Sequence, residues 1–191
     1  QAEPVINEQV VSTVASNTAT QEVKSVQPEA ATAQPIATIT DSPIRFGIAL
    51  YVIDNWIVCS SLSSDYQAHH DATVQLITSI LATLGTPSGK LNYHHVISWP
   101  FFSNPNASQG IEPAKQYVNG VIEHLVEEHK AHKLLVCGGV LAKLNQWQET
   151  ESQDFGIHRL NIPSVYKMLI EPKQKAKAWR LIQDSALYKQ Q

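Results

Sequence analysis

The sequence predicts an α/β fold, a three-layer sandwich in which helices cover the faces of a central, partly parallel β-sheet. Three observations support this class. After residue 45, short runs of β-branched and aromatic residues alternate with longer segments whose apolar residues recur at helical spacing. All the Trp, Tyr and Phe residues lie in that part of the chain. The 191-residue chain leaves roughly 150 residues there, enough for one hydrophobic core.

The first 43 residues are predicted to form a disordered arm. They contain no aromatic residue and no glycine, and isolated Val and Ala residues stand among Gln, Thr, Ser and Glu. Such a composition cannot bury enough apolar surface to offset the entropy of ordering the chain, and prolines interrupt any helix. We therefore divide the chain into an arm, residues 1–43, and one α/β domain, residues 44–191.

The domain is predicted to begin with a β-hairpin and a helix. The first elements are two strands, a polar loop and a helix, at residues 45–53, 56–59, 60–66 and 68–84. Asp54-Asn55 is a turn dipeptide that joins the two strands. Leu76, Ile80 and Leu84 share one face of the helix, and a glycine at position 85 is typical of a helix cap.

Strands and helices then continue to alternate. The pattern predicts strands at 93–97, 132–137 and 156–160, helices at 113–128 and 140–147, and a final helical region that resumes after Pro172. The polar residues 148–154 are predicted to be a loop. In sheets of this kind, ligands bind beyond the carboxyl ends of the strands. Any binding site is therefore expected in the loops at residues 60–66, 98–106, 138–139 and 162–164.

The composition argues against several classes of protein. No segment approaches the roughly 20 apolar residues of a membrane helix. Cys59 and Cys137 each lie in an apolar run, which favours two reduced core thiols over a disulfide or a metal pair, and so favours the cytoplasm. The adjacent pairs His69-His70 and His94-His95 diverge on a helix or strand, so neither makes a chelating site by itself. We expect no metal and no other cofactor.

The charge is divided between the arm and the domain. The arm has five carboxylates against one lysine, a net charge of −4, whereas the whole chain carries −3. The domain therefore carries about +1 and is not a strongly basic nucleic-acid binder. Its basic residues concentrate near the C-terminus, at Lys167, Lys173, Lys175, Lys177 and Arg180. Contacts with a phosphate backbone and a simply solvated helix end both remain open.

Several segments together resemble uracil-DNA glycosylases of the iron–sulfur type. Residues 134–142 are similar to the strand, glycine and helix start near the middle of that family, and residues 93–100 to its central strand and proline loop. The family closes with His-Pro-Ser or His-Pro-Ala, a leucine pair, a proline, a lysine and a tryptophan. The similar residues here are Ile162, Pro163, Ser164, Leu169, Pro172, Lys175 and Trp179. The resemblance covers most of residues 56–185 and implies a glycosylase-like fold.

The catalytic residues that the resemblance implies are not matched. Ile162 stands at the position of the histidine that contacts the departing base anion, and it has no hydrogen-bond donor there. Asp65 is the one carboxylate where the family has its Gly-rich water-activating loop, and His95 falls near the base-reading asparagine. The iron–sulfur type also needs four cysteines. We predict no catalytic residue and regard Asp65, His95, Ile162, Pro163 and Ser164 as vestigial-site positions.

The psi subunits of the bacterial DNA polymerase III holoenzyme combine a glycosylase-like fold with an adaptor role. Residues 56–84 and 163–181 resemble psi, and the arm is similar to its flexible N-terminal segment. The resemblance implies a bacterial, cytoplasmic, non-catalytic adaptor in DNA replication that binds a chi-like subunit and the clamp loader. It implies weak or indirect DNA contact and no membrane. Psi proteins tend to carry a Trp-containing N-terminal peptide, which residues 1–43 lack. Two alternatives stay open: that peptide lies upstream of Gln1, or this protein has another partner.

Two other functions remain as alternatives. A divergent uracil-DNA glycosylase in base-excision repair needs Asp65 and His95 to take over catalytic roles. A glycosylase-fold protein with an unrelated binding function is also compatible, because a fold does not define a function. Trp99 and Trp179 are interpreted as core or interface aromatics, and an exposed Trp147 would suit a partner anchor. We therefore name Trp99, Trp147 and Trp179 as possible partner contacts.

Overall fold

The structure is a computed structural model that describes residues 44–86, 88–101 and 109–189. The predicted arm, residues 1–43, lies outside the described residues, as does most of the loop predicted at 98–106. The predicted strands and helices of the domain all fall inside them.

Within the described residues, one six-stranded mixed sheet forms the centre of the domain, which confirms the predicted α/β class. Its strands are β1 (Phe46–Ile53), β2 (Trp56–Ser61), β3 (Leu91–Trp99), β4 (Lys133–Cys137), β5 (Glu151–Asp154) and β6 (Ile157–Ile162). Across the sheet they are ordered β3-β1-β2-β4-β6-β5. β1 is antiparallel to β2 and β3, whereas β4 is parallel to β2 and β6. The carboxyl ends of β2, β3, β4 and β6 therefore meet at one edge of the sheet.

Helices cover both faces of this sheet. They are α1 (His70–Thr83), α2 (Ile111–His129), α3 (Val140–Leu144), α4 (Val165–Ile170), α5 (Pro172–Asp184) and α6 (Ala186–Lys189). α1, α4, α5 and α6 contribute to the core on one face, and α2 and α3 to the core on the other. None of the helices in this described part of the chain is long and apolar enough to cross a membrane.

The sequence of β1 is a continuous apolar run rather than an alternating one because both faces of this strand are buried. Every residue from Ile48 to Ile53 is fully buried. Successive side chains point to opposite faces of the sheet, so Tyr51 faces the core under α1 while Leu50 faces the core under α2. A central strand with helices on both sides has no solvent face, and apolar residues are therefore required at every position.

Helix α2 shows the amphipathic pattern of a helix on a sheet. Ala114, Val118, Ile122 and Leu125 are its buried residues, and they follow one another at spacings of three or four. The helix ends at His129 and is capped by Lys130, which has a left-handed backbone with φ 49° and donates its N–H to the Val126 carbonyl. Each fully buried aliphatic side chain stabilises the fold by about 1.5–3 kcal/mol.

Two predicted boundaries are wrong. Residues 148–154 are not all loop, because Glu151–Asp154 form β5, which pairs antiparallel with β6. This edge strand has polar, largely half-buried side chains, so it lacks the apolar alternation that identifies a strand. The helix predicted at 140–147 ends at Leu144, because Gln146 adopts a left-handed backbone with φ 56°.

Candidate functional site

Three of the loops predicted to hold a site come together at the carboxyl edge of the sheet. β2, β4 and β6 lie side by side and end at Ser61, Cys137 and Ile162. The residues after them line two adjoining hollows of about 300 and 420 Å³, which share Gly139, Ser164 and Lys167. We call these hollows together the carboxyl-edge cleft.

The cleft is lined by residues from β2, β4, β6 and the helices that follow them. The smaller hollow is lined by Ser61, Leu62, Ser63, Gly139, Val140, Lys143, Ser164, Tyr166 and Lys167. The larger is lined by Gly138, Gly139, Thr150, Asn161, Ile162, Pro163, Ser164, Lys167, Gln174, Lys177 and Leu181. Hydroxyls, amides and lysines are the polar groups of this lining. Among the described residues that line it there is no carboxylate and no imidazole, the groups that most often act as general bases.

Gly138 fixes the floor of the cleft. Its φ of +106° is a conformation that residues with a side chain rarely adopt, and an added Cβ would lie 2.6 Å from Ser61 Oγ. Its N–H donates to the Ile162 carbonyl at 2.9 Å, and the Val140 N–H donates to Ser61 Oγ at 3.2 Å. The glycine therefore lets the ends of three parallel strands approach closely enough to hold one another in place.

The structure brings together some of the predicted vestigial-site residues and separates the others. Ile162, Pro163 and Ser164 line the cleft, and Ile162 is buried at 4% exposure. Asp65 is exposed in a turn before α1 and does not line the cleft. His95 lies on β3, where it lines a different surface hollow of about 490 Å³ against α2.

A cluster of two tyrosines and two histidines lies outside the cleft. The Tyr66 hydroxyl is 3.1 Å from the Tyr51 hydroxyl, 2.9 Å from His70 Nδ1 and 2.7 Å from His94 Nε2. Burial raises the pKa of Tyr51, and the hydrogen bond with Tyr66 raises it further. Burial, then the neighbouring imidazoles of His70 and His95, lower the pKa of His94. The cluster joins the start of α1 to strands β1 and β3.

Sequence reasoning missed this cluster because it treated the two histidine pairs separately. The i, i+4 spacing of Tyr66 and His70 was the available signal, while the contact with His94 depends on the fold. Across the described ranges, no three or more His, Cys, Asp or Glu side chains are arranged to hold a metal ion.

The three candidate partner-contact tryptophans differ in their surroundings. Trp99 is half-buried, and its indole N–H donates to the Gln109 carbonyl at 3.1 Å. Trp147 is half-buried, and the Arg159 guanidinium carbon lies over its ring, 4.2 Å from the ring centroid. Trp179 is 41% exposed. Of the three, Trp179 is the one whose side chain is largely accessible to another molecule.

Trp179 borders an apolar groove between α1 and α5. This α1–α5 groove has a volume of about 200 Å³ and is lined by Leu76, Ser79, Ile80, Thr83, Met168, Lys175, Ala178, Trp179 and Ile182. The rings of Trp179 and Tyr188 pack nearly perpendicular to each other, with 5.8 Å between the centroids. This contact holds the indole in position while much of its surface stays in solvent.

Comparisons with protein-family models, with curated proteins and with solved structures find no match to this chain. The carboxyl-edge cleft and the α1–α5 groove are therefore the features from which function is inferred.

Proposed function

We propose that this protein is a non-catalytic adaptor subunit of the bacterial DNA replication machinery, with a glycosylase-like fold and a role like that of psi. In this role the chain bridges a chi-like subunit and the clamp loader. The observation that carries the proposal is the α1–α5 groove, an apolar surface with an accessible tryptophan at its border.

The groove has the features of a protein-binding surface. Binding energy at such surfaces is concentrated in a few residues, and tryptophan is among the most frequent of them. Trp179 is held by Tyr188 before any partner arrives, so little side-chain entropy is lost when it is covered. Met168 and Ile182 line the groove with flexible and branched apolar side chains that suit an apolar residue of a partner.

The chemistry of the cleft supports a role without catalysis. A glycosylase must stabilise the departing base anion and position a water molecule. The cleft has the apolar Ile162 where the resemblance implies a histidine, and neither Asp65 nor His95 lines it. The residues that the glycosylase alternative needs are therefore not gathered in one place.

The test measures binding of the full chain to a purified chi subunit and clamp loader encoded in the same genome. We expect Trp179→Ala to weaken the affinity for one of them at least tenfold, because truncation of an interface tryptophan removes a large buried contact. Tyr117→Ala is the matched control, since Tyr117 is 38% exposed but lies on α2, on the opposite face of the sheet. It should change the affinity less than twofold.

Two results would contradict the adaptor function. If the wild-type chain binds neither chi nor the clamp loader, the psi-like role is wrong. If the purified chain releases uracil from single-stranded DNA, the glycosylase alternative gains support. Equal losses in Trp179→Ala and Tyr117→Ala would leave the adaptor role standing but remove the groove as its surface.

A further inference from the structure

We infer that the carboxyl-edge cleft is a binding site for phosphate groups, held by Lys143, Lys167 and Lys177 around the Gly138-Gly139 loop. This activity goes beyond the adaptor function, because it requires no protein partner. The inference is drawn from where the fold places these lysines.

The three lysines come from three different helices. Lys143 is on α3, Lys167 on α4 and Lys177 on α5, and each lines the cleft. None of them forms an ion pair with a carboxylate of the described residues. Because no carboxylate of the described part of the chain lines the cleft either, none of these residues neutralises the three positive charges locally. They attract an anion from several sides.

The rest of the lining can complete the coordination of a phosphate. Ser164 precedes α4 and lines both hollows, and its hydroxyl is a group that can donate a hydrogen bond to a phosphate oxygen. Ser63 lines the smaller hollow beside it, and Thr150 lines the larger. Phosphate oxygens are recognised by this combination of lysine charges and hydroxyl donors.

The position and rigidity of the cleft fit a ligand site. In α/β sheets, ligands bind outside the carboxyl ends of parallel strands, and the cleft lies there. Gly138 and Ser61 hold the ends of the strands together, so the floor exists before a ligand binds. The two hollows share Ser164 and Lys167, which gives room for more than one phosphate group.

Phosphates in such a site can come from a single-stranded nucleic acid or from a small polyphosphate. Both are tested on the purified full chain, with a labelled 20-nucleotide oligothymidylate and with inorganic tripolyphosphate. The cleft variant combines Lys143→Ala, Lys167→Ala and Lys177→Ala. The control variant combines Lys173→Ala, Arg180→Ala and Lys189→Ala, which removes the same charge from residues that line neither the cleft nor the α1–α5 groove. Circular dichroism of each variant verifies that it is folded.

We expect the cleft variant to bind whichever probe the wild-type chain binds at least tenfold more weakly at 100 mM salt. The affinity of the control variant for the same probe should fall less than threefold. For the oligothymidylate, the magnitude of the slope of log K against log salt should also decrease by about 2 in the cleft variant. Each phosphate contact contributes about 0.7 for a single strand, and three lysines are removed. Binding of the oligothymidylate with competition by tripolyphosphate would identify a nucleic acid as the source. Binding of tripolyphosphate alone would identify a small ligand.

The inference is overturned if the wild-type chain binds neither probe. Equal losses in the cleft and control variants would also overturn it, because they would show attraction to the overall positive charge of the domain rather than to the cleft. Either failure leaves the binding of chi or the clamp loader untouched, so it is distinguishable from failure of the adaptor function.

Discussion

The buried ion pair between Arg159 and Asp154 gives a sharp test of how β5 is held on the sheet. The Arg159 side chain is 1% exposed, and its Nε lies 2.6 Å from Asp154 Oδ2. Its Nη1 donates to the Glu149 carbonyl at 3.0 Å, and its guanidinium stacks on Trp147. Asp154 is therefore the one carboxylate in contact with a fully buried cation of the described domain.

Replacing Asp154 by alanine should leave the buried Arg159 guanidinium without its negatively charged partner. Removing one partner of a buried ion pair costs about 3–5 kcal/mol, because the remaining charge is left without compensation. Asp154 is itself 22% exposed, so water can partly replace the carboxylate and the lower end of that range applies. We expect Asp154→Ala to lower the free energy of unfolding by about 3 kcal/mol.

Urea unfolding followed by circular dichroism measures this loss. A second variant, Asp154→Ala with Arg159→Met, removes the charge together with its partner and should be at least about 1.5 kcal/mol more stable than Asp154→Ala alone. Glu128→Ala is the control, because Glu128 is 52% exposed and pairs with His124 on the surface at 3.4 Å. It should cost less than about 0.5 kcal/mol.

A loss of less than about 1 kcal/mol in Asp154→Ala, the range of a surface ion pair, would contradict the role of the buried charge. That role is also contradicted if the double variant is less stable than the single one, since the buried charge would then not be the source of the loss.

Three further predictions concern the core and its titrating groups. Gly120→Ala should stabilise the protein by about 0.5–1 kcal/mol, since an added Cβ in the middle of α2 meets nothing within 4 Å. Gly138→Ala should destabilise it by about 1–3 kcal/mol, because Gly138 has a positive φ and the added Cβ would clash with Ser61. Chemical denaturation of both variants measures these changes in the free energy of unfolding. Burial raises the pKa of Cys59 to about 12 and also raises the pKa of Cys137. Both thiols should therefore resist a thiol reagent in the folded state at pH 8. The free energy of unfolding, measured as a function of pH, should fall above about pH 8.5 by about 1.4 kcal/mol per pH unit for each thiol, because the unfolded chain loses these protons first. The lowered pKa of His94 predicts that stability changes with pH in the opposite direction. Its contribution is fully present above about pH 6.5 and falls on acidification, because the unfolded chain takes up the proton more readily. His94→Gln should flatten this part of the measured pH profile.

Local sequence patterns were enough to predict the main elements of the domain. The hairpin of β1 and β2 and the helices α1 and α2 carry signals within a few residues, such as the turn at Asp54-Asn55 and the apolar spacing of Leu76 and Ile80. The alternation of strands and helices predicted a partly parallel sheet, and hence the edge at which the loops after β2, β4 and β6 meet. These features follow from backbone preference and burial, which act over one or two turns or strands.

The tertiary structure alone decided which side chains share a site. β5 had no apolar pattern because it is a polar edge strand, and its pairing with β6 identified it. Arg159 is a charged residue in the sequence, and its burial depends on a carboxylate, a carbonyl and an indole supplied by the chain around β5. Lys143 and Lys177 are 34 positions apart in the sequence, and they line one cleft because the fold places α3 and α5 beside the same edge of the sheet. Such contacts join residues that are distant along the chain, and local preference carries no information about them.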